Sequence, residues 1–439
     1  MVSGRIKEYL LSSNPLCSPL ATASPAEREA QQLARLRPMM AQLLQSNPFY
    51  QAKLAEAGIA SLEGLTSLAS LCELPFTTKE EIVADQMGHP PFGSNLTFPL
   101  EQYSKVHQTS GTMGLPLRWL DTADSWAWWG ECWKQVFRAA GIGAGDRIFF
   151  AFSFGPFIGF WSGWEGAEQV GALAISGGSY ASLQRLHLLL ELQATVLVGT
   201  PSYLLHLAEM ARREGLDLRQ GHLRALVVAG EPGGSIPNTR AQLESVWGAK
   251  VYDHAGSTEV GAFAFSCEFQ QLHLNEAEFI AEVLLSDGDE PAEQGELVLT
   301  NLGRVGSPLL RYRTGDLVHL VRATCRCGCA YARLAGGILG RADDMIIVRG
   351  INVFPSAIEN IVREHTGLGE FLIEVSRRDE IDTLRLLLEM DEDSSARLAF
   401  DISRTIGAQL MLNVSVIPVT PGSLPRWETK ARRVRDLRE

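Results

Sequence analysis

The spacing of apolar and polar positions divides this chain into stretches of different character. Near the start, Ser24-Pro25-Ala26-Glu27 places Ser at a helix N-cap, Pro at the first helical position and Glu where a capping box closes. A helix is predicted from there to about Gln45. Residues 60–100, interrupted by Pro75, Pro90, Pro91 and Pro99, read as irregular. From Asp124 the pattern changes. A Trp-rich helical stretch (126–140) precedes the apolar run RIFFAFSF (147–154). Further strand-like runs follow at 172–176, 195–199, 223–230 and 249–253, with helical stretches at 181–193, 201–214 and 236–247 between them. This alternation implies βαβ units and a largely parallel sheet, whose ligands sit beyond the carboxyl ends of the strands. Residues 277–321 carry shorter alternating runs such as ELVLTNL (296–302), a smaller and more antiparallel β region. After Arg341 come a loop, a helix (355–364), strands at 371–376 and 384–390, a helix (395–411) and a strand (413–418).

The predicted class is therefore α/β. A large N-terminal domain, residues 1–340, has parallel β-sheets flanked by helices plus the small β region. A small α+β C-terminal domain spans residues 341–439, and Arg341, Asp343 and Asp344 ahead of an apolar run look like a hinge leading into it.

Composition narrows the classes. The chain has 439 residues, 46% hydrophobic and 21% charged, which suits a globular protein of two or three domains. Acidic residues outnumber basic ones 51 to 39, and a net charge of −12 argues against nucleic-acid or anionic-membrane binding. No apolar run reaches the roughly 18 residues of a membrane span, and the N-terminal residues lack a signal-peptide core; a cytoplasmic location is expected. Seven cysteines, an odd number in a large chain of this kind, argue against a disulfide framework.

Four segments carry candidate chemistry. HQTSGTMGLPLRW (107–119) gathers Thr109, Ser110, Gly111 and Thr112 in a loop that can turn backbone N–H groups and hydroxyls toward an anion; alone it also fits an ordinary surface turn. No Lys follows its glycines, so it is not the GxxxxGK[ST] nucleotide loop. In YDHAGSTEVG (252–261), Glu259 follows a strand and a turn, where a carboxylate could hold Mg²⁺ against a triphosphate. In LLRYRTGDL (309–317), Asp316 follows a tight Thr-Gly turn and could accept from both hydroxyls of a ribose. LPRWETKARRV (424–434) sets Lys430 in a basic tail, where taken by itself it reads as a solvated charge.

Together, and in this order, these segments resemble the adenylate-forming superfamily of acyl-CoA synthetases, adenylation domains and luciferases. The TSGTMGLP, STEVG and RGINVFPSAIE forms resemble its phenylacetate-CoA ligase branch, which includes aryl-CoA ligases. The resemblance implies a two-step reaction: a carboxylate attacks the α-phosphate of ATP, then CoA thiol displaces AMP. It implies that Thr109, Ser110, Gly111 and Thr112 grip the phosphates, and that Glu259 binds Mg²⁺. Gly230, Glu231 and Pro232 would line the adenine pocket with Asp253 nearby; Asp316 would hold the ribose and Arg341 approach ribose or phosphate. Asp343 would be the hinge of a mobile C-terminal domain, Lys430 the adenylating lysine, and the loop with Arg349, Gly350 and Asn352 the CoA side. Ala255 stands where the family often has an aromatic, and Met113 where a hydroxyl is common.

Phe152, Phe154, Ala255 and Gly256 are the acyl-pocket candidates among dense aromatics, which favours a small aromatic acid of benzoate, anthranilate or phenylacetate type over a fatty acid; a biosynthetic aryl starter-unit activator fits. The acceptor is CoA, or alternatively a carrier protein in trans. A homodimer is common in the branch, but no residue here requires one. Finally, Cys267, His273, Cys325 and Cys327 can close a Cys₃His structural Zn²⁺ site, with Cys329 a substitute ligand and His254 a weaker one; the alternative is a set of reduced surface thiols.

Overall fold

The structure is a computed structural model. It describes residues 18–438 apart from 62, 110–115, 156–157, 286–287, 343–345, 349–350, 366–367, 379–380, 391–394, 411, 413 and 428–430. Ser24 caps the helix Pro25–Ser46 with the predicted box, its hydroxyl accepting from Glu27 N–H while the Glu27 carboxylate accepts from Ser24 N–H.

The larger part is organised on one 12-stranded sheet. Five strands run parallel, in the spatial order Leu173–Ser176, Arg147–Phe150, Val196–Gly199, Ala225–Val228 and Lys250–Ser257. The apolar runs of Arg147–Phe150, Val196–Gly199 and Ala225–Val228 are buried on both faces because helices cover both sides, whereas Leu173–Ser176 is a partly exposed edge. The strand Lys250–Ser257 then turns back antiparallel into Gly261–Ser266, and the sheet continues through Leu272–Leu274, Arg333–Leu334, Tyr312–Val321, Gln294–Asn301 and Phe279–Leu284. The small β region expected at 277–321 is thus the antiparallel half of the same sheet.

Two expectations need correction. Residues 60–100 are not wholly irregular: Lys79–Gly88 is a helix with Thr78 and Glu81 as its capping box, preceded by a 3₁₀ turn Leu68–Glu73. The strand predicted at 249–253 runs on to Ser257, so Ala255 and Gly256 lie in a strand and not in a turn.

Residues from Ile346 onward have their own core, including Ile358, Phe371, Leu386, Ile402 and Val414. Their four-stranded sheet has the order Val414–Val419, Ile381–Glu389, Phe371–Arg378 and Val434–Asp436, and the helices Pro355–Arg363 and Ser395–Leu410 accompany it. The last strand was not foreseen; it pairs parallel with Phe371–Arg378. Among the described residues no helix is long and apolar enough to cross a membrane.

Candidate active site

The loops that leave the carboxyl ends of the parallel strands supply most of the site. After Ala225–Val228 the chain passes through Gly230 at φ +94° and Gly233 at φ +156°, conformations that side-chain-bearing residues rarely adopt. A Cβ on Gly233 would meet Pro201 at 2.5 Å, and one on Gly234 would meet the Asp253 carboxylate at 2.6 Å. The Gly230-Glu231-Pro232 segment is therefore held tightly against the helix Pro201–Arg213 and against Asp253. Asp253 accepts from Ser235 Oγ and from His254 N–H, and burial pushes its carboxyl up to about 6.

The turn between Lys250–Ser257 and Gly261–Ser266 presents Glu259, which is 9% exposed. No described residue supplies its carboxylate with a donor or a cation. A charge so nearly buried calls for one, and a divalent cation with phosphate oxygens would meet that need. The turn is fixed from behind by Arg304, whose Nη1 donates to the carbonyls of Thr258 (2.8 Å) and Glu259 (2.9 Å). Nε and Nη2 of the same guanidinium make a forked pair with Asp121 at 2.7 and 2.8 Å, and the Trp119 and Trp129 rings lie 5.2 Å away. Asp121 belongs to the strand Arg118–Thr122, which pairs with Tyr103–Gln108. Thr109 closes that hairpin: its N–H donates to Leu117 O, and its Oγ1 accepts from Leu117 N–H. Ser110, Gly111 and Thr112 lie outside the described residues. Neither Arg304 nor Asp121 was singled out from sequence. The available signal was one acid, Asp121, directly after the apolar pair Trp119-Leu120.

Asp316 and Arg341 are cross-strand neighbours, and Arg341 Nη1 lies 3.1 Å from Asp316 Oδ1. The Thr-Gly turn expected before Asp316 is not a turn: Gly315, at φ +74°, sits inside the strand Tyr312–Val321 where its pairing with Gln294–Asn301 shifts register, and a Cβ there would come within 3.2 Å of the Arg341 guanidinium. Asp343, Arg349 and Gly350 lie outside the described residues, as does the Asn352 side chain.

Between Arg147–Phe150 and the helix Ile158–Gln169 the aromatics gather: Phe154 stands 4.6 Å from Trp161 and 5.6 Å from Trp164 between ring centroids. A cavity of about 370 Å³ opens there, lined by Ser153, Phe154, Trp161, Trp164, Ser176, Gly178 and Ser179. Phe152 lies behind this wall, stacked on Phe160, and neither it nor Ala255 nor Gly256 lines the cavity. Beneath it the buried Arg185 donates to Ser153 Oγ, Gly178 O and Tyr203 OH.

The tail that carries Lys430 meets the larger lobe. Lys430 itself lies outside the described residues, but Ala431 N–H donates to Glu231 Oε2 at 2.6 Å. Arg426 pairs with Glu389 at 2.6 Å and faces Glu209 of the larger lobe at 3.6 Å. Arg433 is held by Glu359 and Glu370 in the smaller lobe's interior. Asn238 also donates across the lobes to Asn360 O at 3.1 Å.

Away from these groups, the donor atoms of Cys267, His273, Cys325 and Cys327 all lie within 4.8 Å of one another. Cys267 Sγ and Cys325 Sγ are 3.9 Å apart, and Cys327 Sγ and His273 Nε2 are 3.5 Å apart. A tetrahedral zinc with ordinary bond lengths would set these separations at roughly 3.8 and 3.6 Å. His273 Nδ1 faces Tyr331 O, which would leave Nε2 as the lone-pair nitrogen. Burial first, and the neighbouring cysteines with it, push the Cys267 and Cys327 thiols up, so a thiolate there needs a cation. Cys329 is not one of the four; it is fully buried in the main apolar core. His254 is elsewhere, its Nδ1 on Ala264 O and its ring 4.3 Å from Trp133, and burial pushes it down to about 4.

Comparison with known proteins gives this geometry a family. The AMP-binding enzyme C-terminal domain family matches residues 350–438. The phenylacetate-coenzyme A ligase of Escherichia coli (strain K12) is 31% identical over 97% of this chain and 98% of its own. The crystal structure of 2-hydroxyisobutyryl-CoA ligase in the postadenylation state, in complex with 2-HIB-AMP, superposes with a TM-score of 0.89 at 31% identity, covering 95% of this chain and 91% of that one. The same ligase with 2-HIB-AMP and CoA in the thioesterification state covers the same shares at 32% identity but gives a TM-score of only 0.72. The lobes of this chain are therefore arranged as in the former state. With near-complete coverage of such relatives, the chain belongs to the phenylacetate-CoA ligase branch of the adenylate-forming enzymes.

Proposed function

We propose that this protein is an acid–thiol ligase that activates a small carboxylic acid with ATP and passes the acyl group to CoA. The observation that carries this reading is the meeting of the tail beside Lys430 with the Gly230-Glu231-Pro232 loop, on the lobe that also presents Glu259 and the Asp316–Arg341 pair. In the first step a carboxylate oxygen attacks the α-phosphorus, and the bond to pyrophosphate breaks. Lys430 neutralises the charge gathered on the carboxylate and α-phosphate, while Thr109 and its loop hold the departing phosphates. Glu259 is the residue that would hold Mg²⁺, which supplies charge neutralisation on the phosphates. Asp316 orients the ribose, and Arg341 keeps Asp316 in place. In the second step the CoA thiol attacks the acyl carbon and AMP leaves. A swing of residues 341–439 about Asp343 would exchange Lys430 for the loop of Arg349, Gly350 and Asn352 between the steps.

The acid we favour is aromatic and small. The support is the Phe154–Trp161–Trp164 wall and a cavity near the lower end of the usual ligand-pocket range, about 300–1,000 Å³. The relatives named as phenylacetate ligases point the same way, whereas the 2-hydroxyisobutyryl-CoA ligase makes a small hydroxy acid the necessary control. We further propose that Cys267, His273, Cys325 and Cys327 hold a structural Zn²⁺; four protein ligands leave no open position for catalysis.

Pyrophosphate release decides the matter. Purified protein with ATP and Mg²⁺ is offered phenylacetate, benzoate, anthranilate and 2-hydroxyisobutyrate, with CoA present, absent, or replaced by a carrier protein. Release with an aryl acid and thioester formation with CoA is the expected result. Release only with the hydroxy acid would overturn the aromatic assignment, and none with any acid would overturn the ligase reading.

A further inference from the structure

We infer that Glu231 is a positioning residue for adenylation: its carboxylate links the amino end of the helix Pro201–Arg213 to the backbone next to Lys430. The inference rests on the function proposed above and adds to it a residue that selects between the two half-reactions. Oε1 accepts from Ser202 N–H at 2.7 Å, and Oε2 accepts from Ala431 N–H at 2.6 Å. Both oxygens are thus engaged with backbone donors from different lobes, and both contacts are charge-assisted. The first keeps the carboxylate in place in either state of the enzyme, since Ser202 and Glu231 belong to the same lobe. The dipole at that amino end of the helix also favours a negative charge. The second contact can exist only while the tail lies on the larger lobe.

The rest of the tail explains why one hydrogen bond there matters. Arg426, four residues before Lys430, is tied to Glu389, and Arg433, three residues after it, is tied to Glu359 and Glu370. Arg426 and Arg433 therefore tie both ends of a short strap to the smaller lobe. The larger lobe reaches the middle of that strap through Glu231, beside the weaker Arg426–Glu209 approach at 3.6 Å. The superposition on the postadenylation state, and the poorer one on the thioesterification state, agree with a contact that belongs to the first half-reaction only. Because Glu231 sits between Gly230 and Pro232, the loop assigned to adenine also sets the lysine.

The test separates the half-reactions in Glu231→Ala and Glu231→Gln. The probes are phenylacetate and synthetic phenylacetyl-AMP, or the acid that replaces phenylacetate in the screen above. Adenylation is read as acid-dependent exchange of labelled pyrophosphate into ATP, and thioester formation as CoA consumption with the supplied acyl-AMP. Glu231→Ala is expected to slow exchange about ten- to a hundredfold, the range for a lost hydrogen bond to a charged group, and to slow thioester formation at saturating acyl-AMP at least about fivefold less than it slows exchange. Glu231→Gln keeps one acceptor oxygen and should fall between Ala and wild type. If Glu231 serves only to cap the helix, Tm drops and both half-reactions fall together; that result, or unchanged exchange, overturns the inference. Wild-type protein inactive in both assays would instead overturn the underlying function.

Discussion

Arg304 shows how much of the site depends on a single buried side chain. Both Arg304 and Asp121 are wholly removed from solvent, so their pairing offsets two desolvation costs, and neither can be left alone. Arg304→Leu would strand a buried carboxylate and free the carbonyls of Thr258 and Glu259. A stability loss of about 3–5 kcal/mol by urea unfolding is expected, with part recovered in Asp121→Asn/Arg304→Leu. A loss under about 1 kcal/mol would mean the pair is not buried as described. Two neighbours on one strand act oppositely with pH. Asp253, raised from 3.8 to about 6, binds its proton more readily when folded, so it adds stability as pH falls through that window. His254, lowered from 6.5 to about 4, resists protonation when folded, so it removes stability as pH falls through nearly the same window. Asp253→Asn keeps the shape and deletes the first contribution. Its Tm relative to wild type should be highest near neutral pH and should decline as the buffer is taken to about pH 5; a relative Tm that rises on acidification contradicts the buried, ionised Asp253.

Among elements, the antiparallel half of the sheet depends on its cysteine-rich loop. Leu272–Leu274 and Arg333–Leu334 are short strands that pair with each other, and the Cys–His cluster sits at their edge. A cation there would join the loop at 325–327 to the strand end at 267 and so hold the pairing in register. Cys325→Ser should therefore lower both bound zinc, measured by elemental analysis, and Tm, by several degrees, while adenylation by the surviving folded protein changes little. Zinc content equal to wild type would remove the site. This cluster could be read from sequence because cysteine spacing is a local signal, and so could the helices and parallel strands, whose period repeats within a few turns. The helix Lys79–Gly88 escaped notice although Thr78 and Glu81 spell a capping box, because the prolines around it dominate the window. The Arg304–Asp121 pair and the Glu231–Ala431 contact join residues far apart along the chain, and no pattern within one segment encodes which distant partner a charge will find. The site motifs were legible as motifs; the side chains that orient them were not.

On the function proposed above, the whole molecule has to bring Lys430, carried by the C-terminal tail, to the larger lobe. Charge balance gives part of the answer. The smaller lobe buries Arg363 and Arg433 beside Glu359 and Glu370, two cations against two anions, so its interior needs no partner from outside. The lobe can therefore leave the larger one without exposing an unpaired buried charge; among the described residues the polar contacts across the lobes include Glu231 with Ala431, Arg426 with Glu209, Asn238 with Asn360 and Ser356 Oγ with Leu339 O. Polar contacts of this kind suit the alternation proposed above, whereas a broad apolar interface would oppose it. On that proposal, Lys430→Ala removes the charge that the alternation would deliver. Acid-dependent pyrophosphate exchange should then fall by about a hundred- to a thousandfold, while thioester formation from supplied acyl-AMP, which proceeds with the tail withdrawn, should stay within about twofold. If Glu231 acts through Lys430, as inferred above, the variant combining Glu231→Ala with Lys430→Ala should be no slower in exchange than Lys430→Ala alone. A further loss in the combined variant would show that Glu231 contributes to adenylation by a route that does not pass through the lysine, and equal damage to both half-reactions in Lys430→Ala would show that the tail does not alternate at all.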